Sequence, residues 1–234
     1  MNAMQTNRTG KPFRLAGLLA AAALVLSGWA HAAVIFTPGN NPQPDEENIL
    51  FATNPGDGLT VYGETNTSNI PIYFTGLETL TTPANGQARI EAVDGSFIDL
   101  TFGVVDGYFH DFILNPDIQD PRGPPVAGTI VVTVDLLNGP DAVYNFAVSS
   151  AGSNFLTIIA TNGDLIQSIN IHSTVDLQFV DLSQPRISGA FECEQGSIDP
   201  RCLQPAFVPE PGTLALIGLA LLGLALARRQ RAYS

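Results

Sequence analysis

Asp94, Asp99, Asp106, Asp111, Asp117 and Asp120 crowd six carboxylates into one stretch of the chain. Calcium takes oxygen ligands from Asp, Asn and backbone carbonyls in loops, so Asp106, Asp111, Asp117 and Asp120 are the candidates for such a site. Asp106-Gly107 and Asn115-Pro116-Asp117 read as loops. The sequence holds neither an EF-hand D-x-D-x-D-G run nor a nonapeptide calcium repeat. Alternating strands also expose acids to water, which is the competing reading. His110 and His172 are the only histidines beyond residue 32, and His110 abuts Asp111. Nucleophilic or metal-assisted hydrolysis would need a placed partner, yet there is no G-x-S-x-G elbow and no H-E-x-x-H. Two carboxylates can cleave a glycoside, but among so many acids any two match by chance. No catalytic residue is assigned, and the expectation is a protein that is not an enzyme.

The two cysteines, Cys193 and Cys202, flank Glu194-Gln195-Gly196-Ser197-Ile198-Asp199-Pro200-Arg201. They lack CxxC spacing and a neighbouring His, so in an oxidising compartment they read as a structural disulfide. Tyr62, Tyr73, Tyr108 and Tyr144 are candidate stacking platforms for sugar rings, with packing at the core edge the alternative. Their spacing along the chain shares no pattern.

Charge narrows the partners. Between residues 33 and 207 the only basic side chains are Arg89, Arg122, Arg186 and Arg201, against 21 carboxylates, a formal charge of −17. Such a surface repels phosphate backbones, and nucleic acid is not expected as a partner. The only Lys (Lys11) and the only Trp (Trp29) lie within the first 32 residues. The remainder has no amine for a Schiff base or a Lys–Asn isopeptide bond, and no indole platform.

The elements that must position these residues are strands. Ile130, Val132, Val134 and Leu136 alternate with Val131, Thr133 and Asp135. Val175, Leu177 and Phe179 alternate with Asp176 and Gln178. Ile158-Ile159-Ala160-Thr161, Asn162-Gly163 and Asp164-Leu165-Ile166 spell a short hairpin. Further strands are expected at 34–37, 48–52, 59–63, 71–74, 88–93, 97–104, 109–114, 143–149 and 187–191. Asn115 to Pro125 reads as a long, stiff loop. About twelve short strands with Gly and Pro breaks predict an antiparallel β-sandwich, jelly-roll or immunoglobulin-like.

Both ends read as targeting signals. Arg8, Lys11 and Arg14 precede an apolar run from Leu15 to Leu26, and Ala30-His31-Ala32 offers small residues to a signal peptidase. Residues 1–32 are therefore expected to be a signal peptide with a short helix, cut before Ala33. At the other end Pro209-Glu210-Pro211 leads into the uncharged run Leu214 to Ala227, then Arg228, Arg229 and Arg231. Fourteen helical residues rise about 21 Å, short of a hydrocarbon core of about 30 Å, so preceding residues or local thinning must complete a membrane helix. The arginines favour a cytoplasmic C-terminus, leaving the acidic domain outside. The domain expectation is a signal peptide over 1–32, an acidic β-sandwich ectodomain over 33–207 and a sorting tail over 208–234.

The ordered Pro-Glu-Pro motif, apolar helix and terminal arginines resemble the PEP-CTERM sorting signal of Gram-negative bacteria. That resemblance implies export, transient membrane anchoring, and cleavage near Pro209–Pro211 by an exosortase. It also implies a setting of exopolysaccharide and biofilm at the cell surface or in the extracellular matrix. More loosely, Thr37 to Ser96, with Thr81-Thr82-Pro83-Ala84-Asn85-Gly86, resembles ectodomains of the same class. The leading functional expectation is a structural or adhesive surface protein. A calcium-assisted carbohydrate-binding module is the alternative, followed by ice binding, for which Thr79, Thr81 and Thr82 make no repeat, and a secreted hydrolase.

Overall fold

A computed structural model of the chain describes residues 33–51, 56–83, 89–119, 126–174, 176–193, 197 and 200–202. The expected leader, the Pro-Glu-Pro motif, the expected membrane helix, the terminal arginines and Asp120 lie outside these residues. Among the described residues no helix is long and apolar enough to cross a membrane.

The described chain is all-β. Its strands are β1 (Val34–Pro38), β2 (Glu47–Leu50), β3 (Gly58–Thr65), β4 (Pro71–Thr81), β5 (Arg89–Ala92), β6 (Asp99–Val104), β7 (Gly107–Tyr108) and β8 (Asp111–Leu114). They continue as β9 (Pro116–Gln119), β10 (Ala127–Leu136), β11 (Ala142–Ser149), β12 (Leu156–Ala160), β13 (Ile166–His172), β14 (Gln178–Ser183), β15 (Arg186–Ser188) and β16 (Phe191–Glu192). The main hydrogen-bonded path runs β1-β12-β8-β15-β2-β3-β4-β6-β13-β10-β11, with β5, β14 and β9 branching from β4. Every pairing between these strands is antiparallel.

Period-two alternation makes this path fold into two layers. Along β10 Ile130, Val132, Val134 and Leu136 are buried, while Val131, Thr133 and Asp135 between them reach solvent. The buried faces of the layers meet ring to ring: Phe102 of β6 and Phe112 of β8 lie 4.5 Å apart. Phe74, Phe97, Phe102, Phe109, Phe112 and Phe179 are all fully buried. Each such ring contributes about 1.5–3 kcal/mol on leaving water. β2 joins the layers, pairing with β15 on one edge and β3 on the other. The fold is thus the expected antiparallel sandwich.

Three local expectations are corrected. Asn162 (φ 60°) and Gly163 (φ 77°) do form a tight reversal, but no hairpin results. β12 pairs with β1 and β8, whereas β13 pairs with β10 and β6, so the turn carries the chain from one layer to the other. Of the alternation expected at Val175, Leu177 and Phe179, Val175 lies outside the described residues; the Leu177 N–H closes a turn onto the Thr174 carbonyl, and β14 starts only at Gln178. The stiff loop after Asn115 contains β9, which finds β14 as its partner.

Candidate functional site

The outer face of the layer β3-β4-β6-β13-β10-β11 gathers residues that are scattered in sequence. Register places Thr60 opposite Thr75, Thr75 opposite Thr101, Thr101 opposite Asn170, and Asn170 opposite Thr133. Opposed residues in antiparallel strands share a face, so these five form one row across the sheet. The Thr60 and Thr75 hydroxyls lie 2.9 Å apart. The Asn170 amide donates to Thr101 Oγ1 at 2.9 Å and to Asp99 Oδ1 at 3.1 Å. The other Asp99 oxygen meets His172 Nδ1 at 3.2 Å.

A neighbouring row carries the aromatics. Tyr62 stands opposite Tyr73, and Tyr73 opposite Gly103. A Cβ built on Gly103 would come within 3.1 Å of Tyr73 Cε1 and 3.0 Å of its hydroxyl. The missing side chain therefore lets the Tyr73 ring lie over the sheet. Burial, with the Asp135 carboxylate adding to it, pushes the Tyr73 phenol up, so it remains a hydrogen-bond donor at neutral pH.

Beyond Tyr73 the face opens into a groove of about 630 Å³ lined by Tyr73, Val104, Asp106, Gly107, Tyr108, Gln167 and Cys193. That volume lies within the range of small-ligand pockets. Gly107 permits the close approach of the two short strands at its mouth, since a Cβ there would sit 2.1 Å from the Phe191 carbonyl. Phe191 packs against Tyr108 at 5.9 Å and lies under the Arg201 guanidinium at 4.1 Å. The Cys193–Cys202 disulfide is formed, and the Cys193 N–H donates to the Asp106 carbonyl at 2.7 Å. A second depression, of about 540 Å³, is walled by exposed Leu59, Leu77 and Val93 with Glu78 and Asp94. It offers no aromatic ring.

The remaining sequence candidates that the structure describes lie on different elements. Asp106 is exposed in a turn at the groove, with φ 48°. Asp111 is 5% exposed on β8, with no hydrogen-bond partner for Oδ1. Burial pushes its carboxyl up to about 6; the Ser188 hydroxyl pulls the other way and the Glu46 charge adds to the rise. Asp117 is on strand β9, not in the expected loop, and faces Asp181. Among the described residues no three His, Cys, Asp or Glu converge to hold a metal ion. His110 is exposed in the bend that precedes β8 while Asp111 is buried at the first position of β8, so the two make no dyad. Of the tyrosines, Tyr62, Tyr73 and Tyr108 reach this face. Tyr144 turns inward and stacks on Phe36 at 4.8 Å.

With the module described as an antiparallel β-sandwich bearing an aromatic and hydroxyl-rich face, comparison with known proteins adds its address. Residues 207–231 match the family model described as the PEP-CTERM protein-sorting motif. A motif of this family marks an exported protein sorted by an exosortase to the surface or the extracellular space, and this chain carries it. No curated protein matches the chain. A solved carbohydrate binding module of family 29 aligns with 74% of this chain and 99% of its own length, at 10% identity and a TM-score of 0.21. A likeness at that score carries no weight for fold or ligand.

Proposed function

We propose that this protein is a non-catalytic adhesin of the cell surface or extracellular matrix, whose outer sheet face binds polysaccharide. The observation that carries this reading is the Tyr73 ring laid over Gly103, with Tyr62 opposite it and the Thr60–Thr133 row alongside. A ring lying along a sheet offers its apolar face to the C–H face of a sugar. The hydroxyls beside it both donate and accept, as sugar hydroxyls do. In this reading a signal peptidase removes the leader, the tail lodges briefly in the membrane, and an exosortase cuts near Pro209–Pro211.

The test is binding of the protein, recovered from the producing cells, to their own exopolysaccharide. Tyr73→Ala should weaken that binding about tenfold, the loss of a stacking contact of about 1–1.5 kcal/mol. Tyr144→Ala, on the inward side, should leave it unchanged. Equal binding by the Tyr73 variant and the natural protein would remove the proposal. The face supplies its own hydroxyl and amide groups, so chelator should not alter the affinity. A loss on chelation would restore the calcium-assisted alternative.

A further inference from the structure

The charge on the strands around Tyr73 says more about the ligand, given that the polysaccharide-binding reading holds. The strands β3, β4, β6, β13, β10 and β11 contain no Lys and no Arg. Their one basic group, His172, is already engaged with Asp99. Asp99, Asp135 and Asp106 stand on or beside the same face. A uronate or sulfated polymer would bring a dense row of anions against these carboxylates, with no guanidinium or ammonium on these six strands to receive them; Arg201, over Phe191 beside the groove, lies on none of them. A carboxylate ligand accepts hydrogen bonds and cannot donate, and an ionised Asp oxygen likewise only accepts, so the two do not pair. Sugar hydroxyls satisfy both sides.

The direction of the row is also informative. Thr60, Thr75, Thr101, Asn170 and Thr133 belong to five successive strands, so the row runs across the strands in steps of about 4.8 Å. Successive hydroxyl or amide groups at that interval suit a repeating chain more than a single sugar. We infer that the ligand is an uncharged polysaccharide laid across the strands along the Thr60–Thr75–Thr101–Asn170–Thr133 row.

The protein recovered from its native surface is run by affinity electrophoresis through hydroxyethyl cellulose, galactomannan and dextran, and through polygalacturonate, all with EDTA. Retardation by at least one neutral polymer and none by polygalacturonate is the expected result. Retardation by polygalacturonate equal to or greater than by the neutral polymers overturns the charge assignment while leaving polysaccharide binding intact. Retardation by none of the four overturns the underlying reading as well. The Thr75→Val/Thr101→Val double variant keeps strand-forming residues of matching shape and should weaken neutral-polymer binding about tenfold. Unaltered affinity in that variant, with circular dichroism showing it folded, overturns the alignment along the row.

Discussion

Phe36 of β1 and Tyr144 of β11 stack face to face, ring centroids 4.8 Å apart and planes 10° from parallel. These strands are the two ends of the main hydrogen-bonded path. The sandwich therefore closes its open side with an aromatic pair where no backbone ladder is available. Tyr144→Ala should lower the unfolding free energy by about 2–3 kcal/mol, combining lost burial and the lost stack. Urea denaturation at neutral pH measures it, and a change under 0.5 kcal/mol would show that the pair does not close the fold.

Asp111 predicts an unusual pH profile. Its carboxyl titrates at about 6 when folded, against an ordinary value near 4 when unfolded. The folded state thus holds the proton more tightly, and the group's favourable contribution is complete below pH ~4 and lost as pH rises through about 6. Asp111→Asn should remove this loss. The variant should exceed the natural protein by roughly 2–3 kcal/mol at pH 7.5, with the gap closing at pH 4. A gap independent of pH would locate the effect in packing instead.

Asp117 and Asp181 oppose each other on β9 and β14, and Asp181 also faces Glu91 on β5. Burial first, then the Asp117 charge, pushes the Asp181 carboxyl up to about 6, the Arg89 guanidinium offsetting part of it. Like charges directly opposed in a sheet are destabilising, so Asp117→Asn should stabilise by about 0.5–1 kcal/mol at pH 7. It should also lower the Asp181 titration midpoint seen by NMR. An unmoved midpoint would dissociate the two groups.

Glu47 stabilises the β3–β4 turn. Its Oε2 accepts the Thr67 and Ser68 N–H groups at 2.7 and 2.8 Å, and Oε1 accepts the Ser68 hydroxyl at 2.7 Å. Partial burial pushes its carboxyl up, but these hydrogen bonds more than offset it and hold it below the ordinary range. Its contribution is present above the unfolded value and lost as pH falls through the folded one. Glu47→Gln should destabilise by about 1 kcal/mol at pH 7 and much less at pH 3. Thermal melts at the two pH values decide it.

Much of this was legible in the sequence. β10 announces itself by alternation, β1 and β3 fall where strands were expected at 34–37 and 59–63, and the isolated cysteine pair does form its bridge. The Asn162-Gly163 turn was legible as a turn; its partner strands were not, because what a strand pairs with is set by the whole core. The hydroxyl row was hidden for the same reason. Thr60 and Thr75 are 15 positions apart and Thr101 and Asn170 are 69 apart, so only the register brings them into line. Gly103 carries no sequence pattern of its own. Its role comes from what arrives beside it on other strands, the Gln167 carbonyl 2.7 Å and the Tyr73 hydroxyl 3.0 Å from where a Cβ would stand.

The disulfide also determines how the module answers to pulling. A tug on the chain beyond Cys202 crosses the sulfur bridge to Cys193 directly, so the intervening loop carries none of the load. The strain arrives at β16, which is held edge to edge by β7 and by the Cys193–Asp106 backbone bond at the rim of the Tyr108 groove. Flow dragging on anything held in that groove would then act beside the bridge, since Cys193 lines the groove. The longer strands of the sandwich would be spared from unzipping.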